Sequence, residues 1–205
     1  MLVRYNKNSE SIEALIQDLK ERSRDLYLSR RLLCSEAVLV TLNNGLNGGL
    51  SEDQAVAIAA PFAIAMGDSG CICGALSGAV VACGLFLGSN GAYSNRWAMR
   101  ECARYLHDEF KKVNGATCCR VLSRNVKDDK KAHFLQCADL TTEATGMAAR
   151  LILEKRPDLL LQADKAFLAK QQPVIGNTLF RLIHSLSWNR VHSLVKQLFS
   201  RNSNN

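Results

Sequence analysis

With 205 residues, 47% of them hydrophobic, the chain is long enough to bury one sizeable core and needs no disulfide framework to do so. A net charge of +7, spread along the chain except near the C-terminus, does not demand nucleic acid, and none is expected as a partner. Only three prolines, little β-branched alternation and many Ala/Leu/Arg/Lys/Glu-rich stretches argue against a β fold and predict an all-α protein.

An amphipathic outer helix is predicted from about Ser9 to Ser29, opened by a Ser or Asn cap and carrying Ile12, Leu15, Ile16, Leu19, Leu26 and Leu28 among charges. RRLLCSEAVLVTLNNGL reads as a second helix that ends at an Asn-Gly breaker and has Cys34 near its start. On that helix Arg30 and Arg31 would lie one turn before Cys34 and favour its thiolate, or else point to solvent. After a Gly-rich loop, Ser51-Glu52-Asp53 caps a third helix in which Pro61 marks a kink or a break.

The chain is organised around Gly67 to Gly88, where a small-residue turn leads into an uncharged run bearing Cys71, Cys73 and Cys83. Such a run is either a buried central helix or a membrane span. It is rich in Gly, Ala, Ser and Cys and barely long enough to cross a bilayer, so we read it as the buried helix. Cys71 and Cys73 should fall in its first turn, where free backbone N–H groups and the helix dipole favour a thiolate.

Ser94 to Val113 follows as an amphipathic helix closed by Asn114-Gly115, with Cys102 packed beside Trp97, Ala103 and Leu106, and with His107 at the surface or core edge. Thr117 should cap a short helix with Cys118 and Cys119 in its first turn. A long helix from about Asp128 to Lys155 places His133 and Cys137 on one face, a spacing that permits a metal but is weak by itself.

Beyond Pro157, a short helix at Asp158 to Gln171 and a basic amphipathic stretch from Val174 to the end form an extension, residues 156–205, to a cysteine-bearing helical domain at 1–155. The last stretch either docks on its own domain or a second subunit, as in a homodimer, or lies on an anionic membrane surface or a partner's groove; docking is the reading we favour. The N-terminal residues hold no apolar run of signal-peptide length, so a cytoplasmic location is expected. In that reducing compartment eight cysteines suggest metal, catalysis or redox chemistry before structural disulfides.

The chain has no P-loop, dinucleotide-binding glycine fingerprint, nucleophile elbow or HExxH pair. C-x-x-C and C-x-x-C-H are missing too, so neither a thioredoxin-like dithiol nor haem c is expected. If the cysteines bind anything, they do so by converging from distant helices.

Cys34 in CSEAVL, the core Cys73-Gly74-Ala75-Leu76-Ser77-Gly78, Cys119 in CRVL and Cys137 together resemble the C-GCAxxG-C-C family, over about residues 30 to 150. Cys73 rather than Cys71 fills the core position, because the small-residue spacing to Gly78 starts from it. The resemblance implies a helical, redox-active domain similar to the cysteine-bearing part of split-Soret cytochromes. It also implies Cys34, Cys73, Cys119 and Cys137 as metal or iron–sulfur ligands and Gly74, Ala75 and Gly78 as the cofactor-binding core; beside them, Cys71 and Cys118 are secondary thiols that a thiol–disulfide protein would use as resolving partners. Three classes remain open at this point: an iron–sulfur or metal-binding electron-transfer protein with an unknown redox partner, a thiol–disulfide or metal-handling protein, and a non-catalytic helical interaction protein.

Overall fold

A computed structural model describes residues 2–88 and 93–170, with side chains described from Ser9 onwards. Its elements are α1 (Leu2–Leu28), α2 (Cys34–Gly45), α3 (Glu52–Ala59), a 3-10 turn (Ala60–Phe62), α4 (Ala63–Asp68), α5 (Gly74–Leu87), α6 (Arg96–Asn114), α7 (Cys119–Leu122), α8 (Lys130–Lys155), a second 3-10 turn (Pro157–Gln162) and α9 (Lys165–Ala169). No strand occurs among the described residues, and the all-α helical bundle is therefore as the composition requires.

The buried small-residue helix is α5, which packs on α2, α8 and α6. Its neighbour α2 is more completely enclosed, with ten of twelve residues buried against eight of fourteen in α5. Small residues explain the close approach: a Cβ added at Gly78 would lie 2.6 Å from the Ser35 carbonyl oxygen and 3.0 Å from its Cα. Of the polar side chains that α2 buries, Ser35, Glu36 and Asn43 find partners, whereas the Thr41 hydroxyl has none among the described residues. Ser35 Oγ donates to the Ala59 carbonyl at 2.9 Å, and Asn43 clamps Leu50 by donating to its carbonyl at 2.8 Å and accepting from its N–H at 3.0 Å. Leu15, Leu19, Leu39, Leu42, Leu106, Phe110, Ile152 and Leu153 complete the core around these helices.

Helix α1 lies along α8. Ion pairs from Arg24 to Asp139 and from Arg150 to Glu13, with Lys20 and Glu143 at 3.7 Å, fix their register. At the end of this contact Tyr27 stacks on Phe134, centroids 5.1 Å apart, and the Arg30 guanidinium covers the other ring at 4.4 Å.

Several boundaries differ from the sequence reading. Helix α1 continues through the expected cap region to Leu2, and α2 starts at Cys34 instead of Arg30. Arg30 has a left-handed φ of 59° and breaks the chain before α2, so the two arginines are not one helical turn from the thiol; Arg31 pairs with Glu52 at 3.0 Å. Ser51 caps α3 as expected, reciprocated by Gln54, and Pro61 lies in the 3-10 turn that ends it. Trp97, expected against the core, is 68% exposed. The helix expected at Asp158 to Gln171 is split into a 3-10 turn and α9, because Asp164 caps a new helix through the Phe167 N–H. These two pieces pack back on α1 and α2, with the Asp164 N–H donating to Gly45 O at 3.0 Å. The stretch from Val174 to Asn205 lies outside the described residues.

Candidate functional site

The site begins with a backbone turn that few sequences adopt. In α4, Ile64, Ala65, Met66 and Gly67 all have φ between 52° and 64°, a left-handed run that costs each non-glycine residue about 1 kcal/mol or more. The turn directs the Ile64 N–H at the Cys34 sulfur. Strain of this kind persists where the surroundings hold it, commonly at functional sites.

Helix starts supply three of the thiols. Cys34 is the first residue of α2, Cys73 is the N-cap of α5 and Cys119 is the first residue of α7. The fourth, Cys137, comes from within α8 and receives a hydrogen bond from the Tyr27 hydroxyl. The sequence reading put Cys71 inside the first turn of the central helix; it lies two residues before the cap, in the loop. Likewise the cap of α7 is Cys118 and not Thr117.

These four thiols act on one another. Cys34 perturbs Cys73, Cys119 and Cys137, and Cys119 perturbs Cys73 and Cys137. Gly74 is part of the reason: a Cβ there would meet Cys34 Sγ at 2.6 Å and the Phe62 carbonyl at 2.7 Å, so only glycine lets α5 start against the α2 thiol. Ala75 is fully buried and Gly78 makes the contact with Ser35 already described. The segments bearing Cys73 and Cys119 are tied together by backbone bonds. The Cys73 N–H donates to Thr117 O at 2.8 Å, and the Arg120 N–H to Gly70 O at 3.0 Å. Gly70 has φ 85°, and the Arg120 guanidinium occupies the space a Cβ would take as it donates to Ser69 O at 2.7 Å.

The ionisation of the four departs from the sequence expectation. Backbone N–H groups at the helix starts do favour the Cys34 and Cys73 thiolates, through Ser35 and through Ala75 and Leu76. Burial outweighs them. It raises Cys34 and Cys119, and pushes Cys73 to about 12 and Cys137 to about 11, with neighbouring thiols adding to the rise of Cys73, Cys119 and Cys137. Glu36 beside Cys34 and Asp68 beside Cys119 work in the same direction. The group is therefore held as neutral thiols at neutral pH.

Among the described residues, no three His, Cys, Asp or Glu side chains are grouped to hold a metal ion. His133, on the same face as Cys137, makes no such group with it. Of the other four cysteines, Cys71 and Cys118 act on each other and also on Cys119, and Cys102 on α6 adds to the rise that burial imposes on Cys83 of α5. All eight are free thiols.

The comparison with family models matches residues 32–151, more than half of the chain, to the C_GCAxxG_C_C family, described as "Putative redox-active protein". The chain belongs to this family. Comparison with curated proteins and with solved structures finds no match. The matched span opens just before Cys34 and closes in α8 beyond Cys137, so it contains all four interacting thiols. No helix among the described residues is long and apolar enough to cross a membrane.

Proposed function

We propose that this member of the C_GCAxxG_C_C family carries electrons at a thiolate-ligated centre, an iron–sulfur cluster or another metal, held by Cys34, Cys73, Cys119 and Cys137. The observation that supports the reading is that four free thiols, delivered by four different helices, are linked through Cys34 and Cys119, each of which acts on both Cys73 and Cys137, in a partly buried place. Burial and mutual repulsion hold such a group protonated, so its members can ionise together only if a cation replaces the protons. Glu36 and Asp68 add negative charge of the kind that favours that exchange.

The donor chemistry fits a cluster better than a lone ion. A tetrahedral ion with metal–sulfur distances of about 2.3 Å needs thiolates roughly 3.8 Å apart. A polynuclear cluster takes four thiolates at wider spacing. In such a centre the helix-start N–H groups and the Tyr27 hydroxyl would donate to ligand sulfurs, the interactions that set a cluster's potential. Eight free thiols suit a reducing compartment, which supports a cytoplasmic location.

Anaerobic purification followed by iron, sulfide and metal analysis tests the proposal. Stoichiometric iron and acid-labile sulfide with thiolate-to-iron absorption are expected, and Cys34→Ser or Cys119→Ser should abolish both. Protein that stays colourless and metal-free after reconstitution with iron and sulfide overturns it. The same thiols would then be read as a buried dithiol–disulfide store, for which their free state and proximity are the supporting observation.

A further inference from the structure

Two further thiols, Cys71 in the loop before α5 and Cys118 at the cap of α7, stand next to the segments that carry Cys73 and Cys119. Cys71 is exposed and Cys118 half-buried, whereas Cys73 is buried. Cys118 Sγ donates to Gly70 O at 3.1 Å, one residue before Cys71, and the two thiols shift each other's ionisation. Their segments cannot easily part. The Arg120 N–H donates to Gly70 O at 3.0 Å, the Arg120 guanidinium to Ser69 O at 2.7 Å, and the Cys73 N–H to Thr117 O at 2.8 Å. The loop and the start of α7 thus hold Cys71 and Cys118 side by side from positions far apart in sequence, the first of them open to solvent.

We propose that Cys71 and Cys118 form a second redox site, a dithiol–disulfide couple that exchanges with small acidic disulfides and works independently of the four-thiol group. A thiolate of the pair attacks one sulfur of an incoming disulfide RSSR, forming a protein–SR bond and expelling RS⁻. The other cysteine then attacks the protein sulfur of that mixed disulfide, forming the Cys71–Cys118 bond and expelling the second RS⁻. The pair loses two protons and two electrons, and RSSR gains them as two RSH. Arg120, exposed and beside both sulfurs, supplies a positive charge for the carboxylates of such a disulfide. Because backbone bonds already join the two segments, the disulfide would tie together chains that are adjacent before it forms, and the competing pairing of Cys118 with its neighbour Cys119 would require Cys118 to turn away from Gly70 O.

Oxidised glutathione is the probe, added anaerobically to the reduced full-length protein, followed by acid quench, alkylation and peptide mass mapping. The expected early product has lost two free thiols, carries no glutathione and yields a Cys71–Cys118 linked peptide, with the other six cysteines still alkylated. In Cys71→Ser or Cys118→Ser the remaining partner should keep one glutathione as a stable adduct, and circular dichroism should show an unchanged fold. A glutathione adduct that persists on the unsubstituted protein, or a first disulfide joining Cys118 to Cys119 or any other pair, overturns the proposal. Iron and sulfide content in the same two variants separates this site from the proposed centre: it should match that of the unsubstituted protein, and its loss in both variants would show that the pair belongs to the centre and is not independent.

Discussion

Helix α5 can start against the Cys34 thiol only if α2 and α5 touch backbone to backbone, and a matched pair of glycine substitutions measures that contact. Gly78 and Gly84 both lie inside α5, and at either position alanine in place of glycine gains about 1 kcal/mol of helix propensity. At Gly84 nothing lies within 4 Å of the added Cβ, so Gly84→Ala should raise stability by close to that amount. At Gly78 the same methyl meets Ser35 O at 2.6 Å, Ser35 Cα at 3.0 Å and Val38 Cβ at 3.1 Å. Two of these atoms are α2 backbone, which cannot swing aside as a side chain tip can. Overpacking of this kind costs about 1–3 kcal/mol, so Gly78→Ala should come out from neutral to about 2 kcal/mol less stable. The two variants should therefore differ by roughly 1–3 kcal/mol in urea unfolding of the reduced, metal-free protein, with unchanged m-values. Ser35 adjoins Cys34, so Gly78→Ala should also alter the alkylation rate of Cys34 while Gly84→Ala leaves it unchanged. Equal stability of the two variants would refute the packing from which the site is built.

Other consequences are open to direct measurement. Burial pushes Cys73 and Cys83 to about 12 from an ordinary value of 9.0, so between those values the folded chain keeps protons that the unfolded chain has lost. Stability of the reduced, metal-free protein should accordingly be level below about pH 9 and fall above it by about 1.4 kcal/mol per pH unit for each thiol. Urea midpoints that do not change between about pH 8 and pH 10.5 would contradict this. Cys83 and Cys102 lie outside the four-thiol group, so Cys83→Ala or Cys102→Ala should lower the melting temperature modestly and leave any centre in place. Cys73→Ala and Cys119→Ala should abolish the centre, and equal loss of iron in all four variants would show the partition to be wrong. Asn43→Ala should cost roughly 1–3 kcal/mol for each Leu50 backbone group it leaves unpaired, read by chemical denaturation; a change under about 0.5 kcal/mol would mean that water replaces the clamp.

Much of the fold was legible because it rests on local rules. The cap at Ser51, the stop at Gly115 with φ 80° and the helical run Gly74–Leu87 follow from residue types whose preferences act within one turn. The left-handed turn at Ile64 to Gly67 was not legible, since only one of its four residues is a glycine and its neighbours hold the rest there. Nor was the break at Arg30, whose φ of 59° is held in a tertiary setting where its guanidinium stacks on Phe134. The thiol ionisation was misread for a related reason. A helix start visible in sequence lowers a cysteine's pKa, but the burial that overrides it comes from helices distant in the chain. Tyr27, which bonds Cys137, gave no signal of its own; the aromatic pair Tyr27 and Phe134 could have suggested it only once α1 and α8 were known to be neighbours.

The central claim is that Cys34, Cys73, Cys119 and Cys137 make one centre, and a thiol footprint before and after anaerobic reconstitution with iron and sulfide tests it most directly. Under mild denaturant that exposes buried thiols in the apo-protein, all eight cysteines should be alkylated, and after reconstitution these four should become protected together while Cys71, Cys83, Cys102 and Cys118 stay reactive. Protection of a different set, or of none, would contradict the account.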